Sequence, residues 1–215
     1  MFKALSDFFD SYGNMLISSI FIHLKFVFIS VAIGFIIAFI LGILLSRVPK
    51  LSVILIPILS IFQTIPGLVF IGVLFLYLGI KDITVIIALA IYAIFPILKN
   101  TYVGLISVDK KIIEAAQGCG MNPFQVLWKI EIPLAMPSII SGLRMSTIYT
   151  VSWAVLAAMI GLGGLGEFVY RGIETNNTTL ILGGAIPSAI IAILLGYLID
   201  KVQYHFTPRG LRKEP

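Results

Sequence analysis

Five stretches without Asp, Glu, Lys or Arg divide this 215-residue sequence and decide what it can fold into. They are residues 26–46, 51–80, 83–98, 145–166 and 175–199. A helix of about 20 residues crosses a hydrocarbon core of about 30 Å, so four of these stretches are long enough as they stand. The third continues past Lys99 into further uncharged residues. The sequence therefore predicts five transmembrane helices.

The composition excludes a water-soluble fold. Only 12% of the residues are charged, against about 25% in an ordinary globular domain. An outer-membrane barrel needs segments that alternate apolar and polar residues, whereas residues 31–45 are apolar on every helical or strand face. We predict an all-α polytopic membrane protein with a single domain, residues 1–215. Its predicted spans are 26–46, 51–79, 83–106, 137–161 and 179–200.

The basic residues predict the orientation in the membrane. Four of the fifteen, Lys3, Lys25, Lys81 and Arg171, fall on one side of the predicted spans, and Arg144 lies at a boundary. The other ten fall on the opposite side: Arg47, Lys50, Lys99, Lys110, Lys111, Lys129, Lys201, Arg209, Arg212 and Lys213. Basic residues concentrate in cytoplasmic loops, so we expect the N-terminus outside and the C-terminus in the cytoplasm. This placement explains the net charge of +5 without a nucleic-acid partner.

A polar loop, residues 107–134, joins the third and fourth predicted spans. Asp109 is a candidate N-cap for a short helix, and Gly118 and Gly120 can supply the left-handed residue, with positive φ, that ends it. Most connections between neighbouring helices need only a few residues. The length of this loop therefore indicates a function in addition to joining the two spans. It is either a solvated corner or, as we favour, a docking element.

A second short helix is predicted in the same loop. Asn122 caps it, Pro123 takes its first position, and Gln125 completes a capping box. Pro133 is expected to end it.

The loop resembles a known motif. Glu114-Ala115-Ala116 is followed at the fourth position by Gly120 and then, after nine intervening residues, by Ile130-Glu131-Ile132-Pro133. This resembles the EAA loop of permease subunits of bacterial ABC importers, with Ile132 where Leu is usual. Other segments are similar to the glycine betaine, carnitine and choline branch of that family: 63–66, 95–102, 161–166, 184–187 and the tail 207–211.

The resemblance implies a type I (MetI-like) ABC importer permease in the bacterial cytoplasmic membrane. Its partners would be a second permease, identical or homologous, cytoplasmic ABC ATPase subunits, and an external substrate-binding protein, expected to be separate here. The first loop helix would be the coupling helix in a cleft of the ATPase. The residues implicated in that coupling are Glu114, Ala115, Ala116, Gly118, Gly120, Ile130 and Pro133.

The residues themselves also point to an external energy source. The sequence has no Gly-x-x-x-x-Gly-Lys-Ser/Thr loop for ATP, and the five uncharged stretches hold no acid for proton or sodium coupling. The five stretches also show no nucleophile paired with a base and no paired carboxylates, which argues against a membrane enzyme. The lone Cys119 and two histidines at opposite ends leave no predicted metal site. We expect no catalytic residue and no cofactor.

Prolines mark candidate positions along a translocation path. Pro57 and Pro66 in the second span and Pro187 in the fifth are expected to interrupt those helices, and such breaks face protein or a cavity. Gln63 and Thr64 adjoin one break, so they are candidates to line the path, although a structural hydrogen bond explains them nearly as well.

Four aromatic residues are considered for an aromatic cage: Tyr92, Phe95, Tyr149 and Trp153. Tyr92, Tyr149 and Trp153 complete the candidate set for the path. Aromatic faces hold quaternary ammonium groups by cation–π attraction. Aromatics at helical spacing are more typical of core packing or an interfacial belt, which is the interpretation the sequence favours.

Two glycine patterns have structural interpretations. Gly34, Ala38 and Gly42 form a small-residue stripe on which another helix can pack. The run Gly161–Gly166 fits a dinucleotide-binding fingerprint, but it closes a membrane helix rather than following a strand. It indicates either a helix stop or a flexible joint.

The resemblance to that branch thus implies a permease subunit for quaternary-ammonium solutes such as glycine betaine, carnitine and choline. An importer of amino acids or other small solutes is the alternative within transport. A secondary transporter or channel acting alone, and a membrane enzyme, are the alternatives of another class.

Overall fold

The computed structural model describes residues 2–206, with side chains from residue 8 onward, and all regular elements in that range are helical. They are α1 (Phe2–Arg47), α2 (Pro49–Phe62), α3 (Gly67–Leu78), α4 (Asp82–Ile106), α5 (Lys110–Gly118), α6 (Pro123–Val126), a π-helix (Leu127–Glu131), α7 (Ile132–Ala154), a 3-10 helix (Val155–Ile160), α8 (Leu165–Glu174) and α9 (Thr178–Phe206). The tail similar to the osmoprotectant branch, 207–211, and the basic residues Arg209, Arg212 and Lys213 lie outside the described residues.

Four helical segments are long and apolar enough to cross a membrane: Phe8–Arg47, Asp82–Ile106, Pro123–Ile160 and Thr178–Phe206. The pair α2 and α3 makes a fifth, bent by 87° at a short break. The count of five spans therefore agrees with the prediction when the bent pair is taken as one span.

Helix α1 is longer than the first predicted span. It begins at Phe2 rather than near residue 26 and has 46 residues, which corresponds to about 69 Å of helix, more than twice the thickness of a bilayer core. Phe8 and Leu16 on its N-terminal half pack with Phe168 of α8 and Leu180 of α9. This packing explains why the helix continues past the charged residues that bound the uncharged stretch.

The centre of the bundle is formed by α1, α4 and α7. Ala38 is fully buried, and a Cβ added to Gly34 or Gly42 would lie 2.8 Å from Ala93 Cβ or 2.7 Å from Thr101 Cγ2, both on α4. The small-residue stripe is thus where α1 approaches α4 most closely, as its spacing predicts. Backbone contact of this kind holds helices together in lipid, where burial of apolar side chains has little driving force.

Helices α4 and α7 are joined by a second set of close contacts. A Cβ on Gly142 would lie 2.6 Å from Asn100 Cβ. The Ser138 hydroxyl donates to the Asn100 carbonyl at 2.9 Å, and the Ser146 hydroxyl donates to the Ala93 carbonyl at 2.9 Å. These hydrogen bonds fix the position of α7 against α4, because lipid offers the hydroxyl groups no other hydrogen-bond partner.

Two of the three expected proline breaks are wrong. Pro57 and Pro187 lie inside the continuous helices α2 and α9. A proline removes a single backbone bond, and the rest of the helix keeps its bonds. Only Pro66 stands at a break, as the residue preceding α3.

The glycine run after the 3-10 helix forms a tight turn. Gly161, Gly163 and Gly164 have φ of 78°, 74° and 84°, a region that other residues rarely adopt. Gly166 packs against the Val155 carbonyl so closely that a Cβ would overlap it. The run therefore ends one helix and turns the chain into α8, which agrees with a helix stop.

Candidate functional site

The polar loop folds into the two short helices that its sequence predicts. The Asp109 carboxylate accepts a bond from the Lys111 amide at 2.9 Å and caps α5. Gly120 then adopts φ of 84°, and the capping box follows at once. The backbone N–H of Gln125 donates to Asn122 Oδ1 at 2.8 Å, and the backbone N–H of Asn122 donates to Gln125 Oε1 at 2.9 Å. These local bonds hold the direction of α5 relative to α6.

The expectation that Pro133 ends the second helix is wrong. Pro133 is the second residue of α7, and helix continues from α6 through the π-helix to Ala154. In a regular α-helix the proline ring collides with the carbonyl four residues before it. Here the turn is widened, because the Ile132 amide donates to the Leu127 carbonyl, five residues back. The wide turn accommodates the ring.

The predicted coupling residues on α5 present an open surface. Glu114, Ala115 and Gly118 are exposed, and only Ala116 is buried against the rest of the chain. A Cβ added to Gly118 or Gly120 would meet no atom within 4 Å. Within the described residues 2–206 this face is uncovered, as a docking surface requires. Ile130 is half-buried behind it and shapes the base of the loop.

Large apolar side chains surround this face, and the sequence reasoning missed them. Ile112, Phe124 and Trp128 are 44%, 70% and 48% exposed. The Phe124 and Trp128 rings lie 6.0 Å apart, and Phe124 lines a cavity of about 470 Å³. Apolar surface on a polar loop marks a protein contact. The sequence signal that could have predicted this apolar surface is the alternation of charged residues with single large apolar residues in 110–131. We call the exposed surface of α5, which includes Ile112, together with Phe124 and Trp128 the loop face.

An ion pair also missed by the sequence reasoning ties the loop to α1. Both guanidinium Nη atoms of Arg47 reach the carboxylate of Glu131, the Nη1–Oε1 distance being 3.1 Å. The Glu131 side chain is 4% exposed and that of Arg47 is 45% exposed. Such a two-point contact holds orientation as well as position. Movement of the loop is therefore linked to the end of α1 and to the start of α7.

The candidate path residues converge on a cavity at the break between α2 and α3. Its volume is about 190 Å³, and its lining is formed by Gln63, Leu89, Tyr92, Tyr149, Thr150 and Trp153. Four of the five residues predicted for the path thus line a single cavity. Thr64 does not, because its hydroxyl turns back and donates to the Ile61 carbonyl at 2.7 Å.

Hydrogen bonds across the break hold the cavity in shape. The Gln63 amide nitrogen donates to the Tyr92 carbonyl at 3.0 Å, and the Tyr92 hydroxyl donates to the Ile65 carbonyl at 2.6 Å. The Trp153 ring packs on Gly67 so closely that a Cβ there would overlap it. Gln63 therefore has both roles considered for it, a structural bond and a place in the cavity wall.

The helix bundle thus has a cavity that opens at its surface and an uncovered loop helix, two features that a membrane transport subunit needs. Residues 30–211 match the family described as binding-protein-dependent transport system inner membrane component. The chain belongs to this family, and it is an integral component of the inner membrane.

Curated relatives align along nearly the whole chain. The sequence is 39% identical to the carnitine transport permease protein OpuCB of Listeria monocytogenes, over 98% of this chain and 96% of the relative. It is 38% identical to the glycine betaine/carnitine/choline transport system permease protein OpuCB of Bacillus subtilis, over 97% and 96%. It is 36% identical to the choline transport system permease protein OpuBB of Bacillus subtilis, over 96% and 95%.

Solved structures show the same fold. An inward-facing structure of the MetNI methionine ABC transporter superposes with a TM-score of 0.81 at 22% identity, covering 90% of this chain and 96% of that one. A structure of an amino acid ABC transporter with histidines gives a TM-score of 0.68 at 20% identity, covering 91% and 94%. The fold is that of the MetI-type ABC importer permeases, as the sequence predicts.

Proposed function

We propose that this chain is the permease subunit of an ATP-driven importer for small quaternary-ammonium solutes. The observation that carries the proposal is the similarity, over nearly the full length, to permeases named for carnitine, choline and glycine betaine transport. Solute would pass through the cavity at the break between α2 and α3. Energy would arrive at the loop face from a separate ATPase subunit, since the sequence has no ATP-binding loop of its own.

The proposed orientation puts the loop face in the cytoplasm. Several basic residues lie at the end of the bundle that carries the loop. Arg47 ends α1, Lys50 is in the first turn of α2, and Lys110 and Lys111 begin α5. Lys25, at the middle of α1, forms an ion pair with Asp82 at the start of α4, the end of α4 opposite to the loop. The concentration of basic residues at the loop end supports a cytoplasmic position for it.

The remaining partners are a second permease and an external substrate-binding protein. Tyr149 at the mouth of the cavity is 49% exposed, so the cavity opens at the surface of this chain. A second permease copy or homologue against that surface would complete the wall of a path between the two subunits.

Reconstitution into proteoliposomes tests the proposal. The chain would be combined with its ATPase and its substrate-binding protein and assayed with labelled glycine betaine, choline, carnitine and an amino acid. We expect ATP-dependent uptake of at least one quaternary ammonium compound. Uptake that persists without the ATPase would indicate a secondary transporter, and uptake of the amino acid alone would indicate the other substrate class.

The substitution Gln63→Leu is predicted to reduce uptake about tenfold while the complex still assembles. Leucine removes the side-chain amide, whose N–H not used by the Tyr92 carbonyl can donate to the carboxylate of a passing betaine. A hydrogen bond to a charged group is worth about 1.5 to 3 kcal/mol. The Tyr92 hydroxyl still bridges the break to Ile65 in this variant. Uptake, basal ATP hydrolysis and yield of purified complex are measured together.

Thr64→Val is the matched control for Gln63→Leu, because Thr64 adjoins the same break but does not line the cavity. Poor yield of the Gln63 variant would assign the residue a purely structural role. Normal uptake by it would remove Gln63 from the path.

A further inference from the structure

We infer that the cavity at the break between α2 and α3 is a binding subsite for the trimethylammonium group of the transported solute, formed by the rings of Trp153, Tyr149 and Tyr92 that line it. This inference rests on the proposed function and adds the chemistry by which the membrane subunit itself recognises its solute. It changes the interpretation of the three aromatics from packing residues alone to a recognition surface.

The lining of the cavity suits a large, weakly hydrated cation. Three of its six side chains are aromatic, the other three are Gln63, Leu89 and Thr150, and none carries a charge. Aromatic faces attract quaternary ammonium groups through the ring quadrupole. A carboxylate would hold cations of many kinds and release them slowly, whereas a path must bind its solute weakly enough to pass it on. Neutral aromatic walls meet both requirements.

The size of the cavity agrees with such a group. Its volume is about 190 Å³, below the roughly 300 to 1,000 Å³ of sites that enclose drug-sized ligands. A compact head group of a few methyls fits this space, and a bulky solute does not. The half-exposed Tyr149 stands at the opening, one helical turn from Trp153 on α7, so both rings face the same entrance.

The rings are held in place before any solute arrives. The Tyr92 and Trp153 ring centroids lie 4.1 Å apart, and Phe70 packs edge-on against Tyr92 at 5.5 Å. The Tyr92 hydroxyl is fixed on the Ile65 carbonyl, and the Trp153 ring is seated on Gly67. Rings already fixed by packing lose little freedom on binding, which increases the attraction available to the solute.

Gln63 adds a directed polar group to these rings. Its amide nitrogen is engaged by the Tyr92 carbonyl, which leaves the amide oxygen as an acceptor at the cavity wall. The negative end of this dipole favours a cation without introducing a charge. The aromatic faces and one carbonyl oxygen together form a neutral site with a preference for positive groups.

Fluorinated tryptophans at position 153 test the inference directly. Each added fluorine weakens the negative ring face, and the yield of complex reports whether the Cζ3–Cε3 edge of the ring still packs on Gly67. The variants are made by codon suppression in the complete transporter, reconstituted with ATPase and binding protein. With labelled glycine betaine, we expect uptake to fall stepwise with fluorine number, by about tenfold over the series. Basal ATP hydrolysis and complex yield should not change.

Phe21 is the control position, because its ring is exposed on α1, outside the loop face, and does not line the cavity. A series of fluorinated phenylalanines at position 21 should leave uptake unchanged. A second pair of variants checks the ring at the entrance: Tyr149→Phe retains a ring and should transport normally, whereas Tyr149→Leu should transport several-fold less.

Uptake that is insensitive to fluorination at position 153 would overturn the inference, as would equal loss in Tyr149→Phe and Tyr149→Leu. Failure of the proposed function has a different signature, because the unmodified transporter would then take up no quaternary ammonium compound at all.

Discussion

Gly120→Val is expected to reduce uptake at least tenfold while the protein remains in the membrane at normal levels. Gly120 has φ of 84° and open space around its α-carbon, so the penalty comes from the backbone and not from a collision. A β-branched residue in this region costs about 1 to 3 kcal/mol, which the turn relieves by changing its dihedral angles. Because this turn sets the direction of α5, the loop face would no longer fit its partner.

Gly79→Val provides the matched control for this substitution. Gly79 has φ of 74°, and it too has no neighbour within 4 Å, but it ends α3 at the other side of the bundle. Valine is therefore strained at both positions, and Gly79 is remote from the loop face. Equal loss of uptake in both variants would show that strain alone is responsible. Normal uptake in Gly120→Val would contradict the docking interpretation.

Charge reversal at Glu114 examines the same surface without altering the backbone. Glu114 is exposed on α5, so Glu114→Lys leaves the fold intact and changes only what a partner meets. We expect loss of ATP-driven uptake with normal yield. Glu174→Lys, at an exposed position at the end of α8, is expected to transport normally. Absence of the Glu114 variant from the membrane would make the position structural.

Removing Arg47 is expected to have the largest effect on stability. In Arg47→Met the Glu131 carboxylate, 4% exposed, is left without its guanidinium partner. Breaking a buried ion pair costs about 3 to 5 kcal/mol, and the half-exposure of Arg47 places this case near the lower end. The ratio of folded to unfolded protein would fall about a hundredfold. Thermal unfolding in detergent and the yield of intact complex measure the change.

Two further variants give this prediction its controls. The double variant Arg47→Met with Glu131→Leu replaces both charges with apolar groups and should recover most of the yield. Lys25→Met breaks a pair whose side chains are 50% and 47% exposed, so it should cost no more than about 1 kcal/mol. If Arg47→Met and Lys25→Met lose the same stability, the Glu131 carboxylate is not held as described.

Local features of the loop were predictable residue by residue. The Asp109 cap, the positive φ of Gly120 and the Asn122–Gln125 box depend on neighbours within a few positions, so the sequence contains their full cause. Pro133 shows the limit of such reasoning. A proline interrupts a regular α-helix, but the turn before Pro133 is a wider π-helix that accommodates the proline ring.

Features that depend on distant residues were less predictable. The Arg47–Glu131 pair joins residues 84 positions apart, and neither partner carries a local sign of the other. The break at Pro66 was predicted, whereas its 87° bend depends on the packing of α3 and Trp153 around it. That bend is what brings Gln63 to the wall that Tyr92 and Trp153 form. Thr64, one residue further, turns away because a hydroxyl satisfies the nearest helix carbonyl.

The central claim is that the loop face lies in the cytoplasm and receives an ATPase subunit, and the natural thiol of Cys119 measures it most directly. Cys119 is exposed, it directly follows α5, and it is the single cysteine of the sequence. A membrane-impermeant thiol reagent should spare Cys119 in intact cells and modify it in inverted membrane vesicles stripped of ATPase. Adding the ATPase back should protect it from the reagent. Modification in intact cells, or an unchanged rate with the ATPase bound, would contradict the account.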